Sequence, residues 1–190
     1  MRAFVINLDH RTDRLESFYK NKFPFSVIRV SGIHTSPHGM GSTETHIRIL
    51  EEQKEFPFVI FEDDCVILEP WSVVETAMSQ LPDDWDALWL GATLTHYLTR
   101  YSQNLFKLKN AYTTHAIVFN SQRLIDYVLD YYKTDGKVVN DVLYYKIQDK
   151  FNCFITYPIV ATQYGSLSDV FGTFQPQTII LESYKKYTRT

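Results

Sequence analysis

Apolar and polar positions fall into blocks whose lengths switch between those of strands and those of helices. Ala3 to Leu8 is an apolar run that predicts a buried first strand, and Arg11 to Lys22 predicts a helix entered through a polar turn. Phe25 to Val30 predicts a second strand. Ser36-Pro37-His38-Gly39-Met40-Gly41 predicts a loop, with two glycines open to conformations that other residues resist. Ser42 or Thr43 is placed to cap a helix running to about Glu55, with Ile47 and Leu50 on its buried face. Farther on, Val73 to Leu81 predicts a helix stopped by Pro82, and Asp86 to Gly91 another strand. Thr93 to Asn110 suggests antiparallel ribbons and a loop, and Ala111 to Asn120 a strand. Ser121 caps a helix over Gln122 to Tyr132, and Asn140 caps one reaching about Lys150, with Asp141 in its first turn. Phe154 to Tyr157 reads as a short late strand, and the tail beyond it is expected to add no second core. The fold class that follows is α/β, a mixed, mostly parallel sheet flanked by helices, in one domain spanning 1–190.

One block departs from what packing alone requires. Phe58-Val59-Ile60-Phe61 has no alternation, the habit of a strand covered on both faces, and it runs directly into Glu62-Asp63-Asp64. The carboxyl ends of such strands are where open α/β sheets bind ligands. Residues two apart on extended backbone point the same way, so Glu62 and Asp64 can share a ligand while Asp63 faces elsewhere. Hard oxygen donors in this pattern suit Mg²⁺ or Mn²⁺, which are commonly held by one or two carboxylates together with substrate phosphates. The competing reading is a solvated strand-to-loop turn.

Composition narrows the setting. The chain has 190 residues, 45% hydrophobic and 15% aromatic, enough for one sizeable core without disulfide staples. A net charge of -3 argues against a nucleic-acid binder relying on a general positive field. The two cysteines, Cys65 and Cys153, have no paired metal spacing, which suits a reduced, cytoplasmic setting. No transmembrane segment is expected, since no run approaches the roughly twenty apolar residues that a bilayer requires. The Lys185-Lys186 pair makes a basic tail too short for an anchor, leaving a peripheral membrane association as the alternative.

Several segments, in order, resemble glycosyltransferase family 25, the lipopolysaccharide-type galactosyltransferases that include collagen galactosyltransferase domains. They are Val5 to Leu15, Gly41 to His46, Phe61 to Val66, Asp84 to Gly91, Thr114 to Val118, Asn140 to Leu143 and Pro158 to Gln163. In the second of these, Ser42 and Thr45 stand where the family has Cys and Ser. The resemblance covers nearly the whole chain. It implies a GT-A-like fold that moves a sugar, often galactose, from a UDP-sugar donor to a glycan or other hydroxyl acceptor, with Mn²⁺ or Mg²⁺ as cofactor.

On that resemblance, Asp64 is the preferred metal ligand, Glu62 touches the ribose, a metal-bound water or the metal itself, and Asp63 orients the donor sugar. Asn7 and Leu8 line the base and ribose pocket. Arg11 or Arg14 pairs with the diphosphate, since a guanidinium offers two aligned donors to phosphate oxygens. His46 either bonds the donor phosphate or holds the glycine loop, and His115 sits within a strand where a core role is as natural. An inverting transfer needs a base for the acceptor hydroxyl, and Asp141 is the first candidate, with Asp169 as the alternative. No histidine follows His115 in the chain, so water or Gln163 is left to complete the metal shell. Trp85 and Trp89 are expected in the core, while Tyr97 and Tyr101 are the acceptor-site candidates. Two other classes stay open. One is a catalytically silent sugar-nucleotide or glycan-binding module. The other is a nucleotidyltransferase, although Asp9-His10-Arg11-Thr12 offers no glycine-rich phosphate loop beside the first strand.

Overall fold

The computed structural model describes residues 1–35, 40–134, 138–167, 174–175 and 178–188, of which 166–167 and 174–175 are described by their backbone. Strand β1 (Arg2–Asn7) pairs in parallel with β2 (Ile28–Ser31) on one side and β3 (Phe58–Glu62) on the other. The sheet continues through β8 (Ala116–Phe119), β5 (Ala87–Trp89), β9 (Cys153–Thr156), β7 (Leu105–Lys107) and β6 (Thr99–Ser102), in the order β2-β1-β3-β8-β5-β9-β7-β6. Only β8 and β7 run against the common direction, so the sheet is mixed and its strands mostly point one way. A separate two-stranded ribbon joins β4 (Cys65–Ile67) to β10 (Ala161–Gln163) in antiparallel register.

The lack of alternation in the central strands has a direct cause. Successive side chains leave a strand on opposite faces, and here both faces are covered. Phe4, Ile6, Phe58, Ile60, Ile117 and Phe119 enter one core; Ala3, Val5, Val59, Phe61, Ala116 and Val118 enter the other. The first core is roofed by α2 (Met40–Glu52), α4 (Gln122–Thr134), α5 (Asn140–Ile147) and α6 (Thr178–Tyr187). The second is closed by α1 (Thr12–Phe18) and α3 (Trp71–Met78), chiefly through Phe18, Trp71, Val74 and Ala77. Because α1 and α2 lie on opposite faces and β2 and β3 on opposite sides of β1, the topology reverses at β1. The carboxyl ends of β1 and β3 open onto that reversal, where such sheets form a crevice.

Several local expectations change. Cap hydrogen bonding differs between two predicted helices: Ser121 Oγ accepts the Leu124 N–H at 3.3 Å, whereas Asn140 is already helical and its amide donates to Ser42 Oγ at 3.2 Å. The strand expected from Ala111 begins only at Ala116, because Thr113 takes a φ of 73° that a ladder does not admit. The tail, expected to add no second core, joins the first through α6, which buries Ile180 and Tyr184, and the Tyr184 hydroxyl donates to the Thr156 carbonyl at 2.6 Å. Of the loop expected at residues 36 to 41, residues 36–39 lie outside the described residues, and Met40 and Gly41 are already in α2. Both cysteines are buried and unbridged, and among the described residues no helix is long and apolar enough to cross a membrane.

Candidate active site

Helix α1 is held against the sheet by Phe18, whose ring lies 5.6 Å from that of Phe61. Arg14 is one turn earlier on the same helix face, which carries it to the residues that follow Phe61. Its guanidinium sits 2.6 Å from Asp63 Oδ1 and 2.8 Å from Asp64 Oδ2. Asp63 is bound on its other oxygen by Asn7 Nδ2 at 2.7 Å. Asn7 is held in turn by Arg29 Nε, which donates to its Oδ1 at 3.0 Å. The ends of β1, β2, β3 and the first turn of α1 are thus laced by one polar network.

Glu62 belongs to a different set of contacts. The antiparallel register sets Phe61 against Ala116, so the chain just before β8 wraps the strand end. There the Thr114 hydroxyl donates to Glu62 Oε1 at 2.7 Å. Gln163, at the end of β10, lies opposite Cys65, and its Nε2 reaches Asp64 Oδ1 at 3.1 Å and Glu62 Oε2 at 3.4 Å. Gly91 permits the approach of β10, since a Cβ there would stand 1.9 Å from the Ala161 carbonyl oxygen. Asp141, in the first turn of α5, accepts the Thr113 N–H at 3.2 Å.

The electrostatics show that these acids are imperfectly compensated. Burial first, then the Asp64 charge, pushes Glu62 up to about 8 against the opposing Thr114 hydrogen bond. Burial raises Asp63 to about 6 despite Arg14 and Asn7. Burial also raises Asp141, with the Asp64 charge adding to it and the Thr113 N–H opposing. Burial works against the charge on Arg14, but Asp64 and Asp63 outweigh it and hold the guanidinium more firmly ionised than usual. With all three strand-end acids ionised, one buried guanidinium leaves an excess of two negative charges.

That excess bears on a metal. Among the described residues no three His, Cys, Asp or Glu side chains form a group able to hold an ion. Asp64 Oδ1 and Glu62 Oε2 nevertheless converge on one donor, the Gln163 amide, so this edge offers two hard oxygens at one point. A divalent ion completed by phosphate oxygens and water fits this donor set.

The structure brings Asn7, Arg14, Glu62, Asp63, Asp64 and Gln163 together, with Asp141 close enough to feel the charge of Asp64. Others go elsewhere. Arg11 makes a two-point pair with Asp13, both bonds 3.0 Å, while its charge still acts to lower the pKa of Asp63. Both oxygens of Asp63 are taken by Asn7 and Arg14, which makes it a fastener of β1 and α1 to β3. Asn7 is 2% exposed and occupied with Asp63 and Arg29, so it supports the acids from behind. Leu8 is half-buried at the same strand end, its carbonyl accepting the Arg11 N–H.

His46 is 1% exposed and edge-on to Tyr144, with ring centroids 6.0 Å apart. Burial pulls it down to about 3, so it is a neutral core ring and the donor contact expected of it is not made from this position. His115 is likewise buried and pulled down to about 4, chiefly by burial, with the Asp64 charge opposing. Trp89 is fully buried, edge-on to Tyr144, and Trp85 packs against the second core. Tyr101 lies on β6, the far edge of the sheet, against Phe154, and Tyr97 packs edge-on to Tyr187; neither joins the acids. Asp169 lies outside the described residues. Arg29, Thr113 and Thr114 enter the network without having been singled out as site residues; only Thr114 stood in a segment noted for family resemblance.

No family model and no curated protein matches the chain. Among solved structures, A197 from STIV is similar with a TM-score of 0.52 at 15% identity, over 94% of this chain and 95% of that one. The glycosyltransferase GlyE from Streptococcus pneumoniae TIGR4 gives 0.49 at 10% identity, over 80% of this chain and 44% of that one. The inositol-1-phosphate CTP transferase from T. maritima gives 0.47 at 12% identity, over 100% of this chain and 78% of that one. At these identities the likeness concerns the fold, which this chain shares with A197.

Proposed function

We propose that the chain is a metal-dependent glycosyltransferase that moves a hexose, galactose being the first candidate, from a UDP-sugar to a hydroxyl acceptor with inversion. The observation that carries this reading is the gathering of three carboxylates, Glu62, Asp63 and Asp64, at the carboxyl end of β3, with one guanidinium bound to two of them and the Gln163 amide shared by Asp64 and Glu62. The ordered resemblance to glycosyltransferase family 25 supports it from the sequence side. Asp64, with Glu62, is the pair that would hold Mn²⁺ or Mg²⁺. Such an ion offsets the charge that grows on a nucleoside diphosphate as the glycosidic bond breaks. Arg14 is poised to exchange its bonds with Asp63 and Asp64 for phosphate oxygens, since both partners are anions. Asp141 takes the acceptor proton; its raised pKa moves it toward the range in which a general base works best.

The test is a panel of UDP-sugars titrated with and without Mn²⁺ into the intact protein and Asp64→Ala. Metal-dependent binding in the former, weakened about a hundredfold or more in a variant that still melts cooperatively, is the expected result. Unchanged donor affinity removes the metal assignment. Products separate the remaining classes: free UDP from a UDP-sugar marks sugar transfer, pyrophosphate released from a nucleoside triphosphate offered with a sugar phosphate marks nucleotidyl transfer, and tight binding without turnover marks a silent binding module.

A further inference from the structure

Segment 110–114 contains both non-glycine residues with positive φ among the described residues, Asn110 at 44° and Thr113 at 73°. For a β-branched residue such as Thr113 this is a costly conformation, one that persists only where surrounding structure holds it and that is concentrated at functional sites. The holding contacts come from one face of α5 and from Gln148 at its carboxyl cap. Gln148, 1% exposed, accepts the Ala111 N–H at 2.7 Å and donates to the Ala111 carbonyl at 3.1 Å. Tyr145 stacks on Tyr112, ring centroids 4.6 Å apart and planes 21° from parallel. Asp141 accepts the Thr113 N–H. On the other side, Thr93 and Tyr112 exchange backbone hydrogen bonds of 2.9 and 3.0 Å.

The result is a fixed aromatic pair of which Tyr112 is still 38% exposed. Tyr145 is one turn of α5, about 6 Å along the axis, from Asp141. We infer that Tyr112, backed by Tyr145, is the stacking subsite for a pyranose acceptor whose attacking hydroxyl is presented to Asp141. Three features select a sugar. A tyrosine ring offers an apolar face to the C–H side of a pyranose and a phenol edge to its hydroxyls. The carboxylate beside it accepts a hydroxyl proton. The pair is ordered before the ligand arrives, so little entropy is lost on stacking. This inference rests on the transferase reading for the role of Asp141, and it replaces Tyr97 and Tyr101 as the acceptor platform.

The test uses four methyl pyranosides, of glucose, galactose, mannose and N-acetylglucosamine, titrated by saturation-transfer NMR with UDP and Mn²⁺ present and absent. The proteins are the wild type, Tyr112→Ala and Tyr112→Phe, with melting curves as a check on folding and UDP affinity measured separately. At least one sugar is expected to bind the wild type, about tenfold more weakly to Tyr112→Ala, and comparably to Tyr112→Phe, with UDP affinity unchanged throughout. Failure of all four sugars to bind the wild type, or equal binding by Tyr112→Ala, overturns the subsite. A wild type that binds sugars through Tyr112 but takes no UDP with Mn²⁺ overturns the transferase reading and leaves the subsite standing.

Discussion

Buried carboxylates occupy opposite ends of this sheet, and their environments differ. Asp86, at the amino end of β5, is fully buried, gripped by Arg123 through two hydrogen bonds of 2.7 Å and by the Asn152 N–H at 2.8 Å. Burial opposes its charge, but these partners win and hold its pKa below the ordinary value. At the carboxyl end of β3, Glu62 and Asp63 are raised because burial and neighbouring negative charge exceed what Thr114, Asn7 and Arg14 return. One end uses an acid to fasten the fold. The other gathers three acids around one guanidinium, so that Asp63 fastens β1 and α1 to β3 while burial leaves Glu62 with a raised pKa, the kind of perturbation that marks a candidate site.

The contrast can be broken most forcefully at Arg14. Arg14→Met leaves Asp63 and Asp64 buried without their shared counter-ion, and is expected to cost about 3 kcal/mol in denaturant melts at neutral pH. Adding Asp63→Asn should return much of that loss, and a strictly additive double variant would refute the pairing. Next in size, Asp86→Asn should cost about 2 kcal/mol, by weakening charge-assisted bonds to Arg123 and Asn152. A neutral Asp86→Asn would show that the two ends do not differ as described.

The smallest effect is a pH profile. Glu62 and Asp63, raised to about 8 and about 6, bind protons more tightly folded than unfolded, so their stabilising contribution is lost as pH rises through those values. His46 and His115, pulled down to about 3 and about 4, oppose this: below their ordinary 6.5 the unfolded chain takes up protons that the folded one resists. Metal-free stability should therefore peak near pH ~6.5 and fall toward pH ~8 as Glu62 ionises. Glu62→Gln should flatten the alkaline fall. A profile equally steep in wild type and variant would place the titrating group elsewhere.

Legibility followed regularity. The strand leading to Glu62 was readable because its apolar run serves two cores, and the acids after it had no packing reason to be there. The helix bearing Asp141 was readable from a cap expected at Asn140, although Asn140 proves to be its first helical residue. Arg14 was legible only as one of two candidates beside Arg11, and its place against the acids comes from Phe18, which turns one face of α1 toward β3. Residues 111–115 read as strand because Ala111, Tyr112 and the threonines have strand composition. Their actual path is set by Gln148 and Asp141, thirty or so positions later.

The order of apolar blocks was enough to determine a sheet buried on both faces, the direction of its first strands and the acidic edge where they end. These depend on periodicity within a few neighbouring residues, which any reading of the chain contains. Tertiary structure alone decided which cation meets the acids, that His46 faces the core, and that a strained loop carries a tyrosine pair beside Asp141. Each of those outcomes is a balance between groups far apart in the chain, where burial raises the cost of every unpaired charge or backbone group until one particular partner satisfies it.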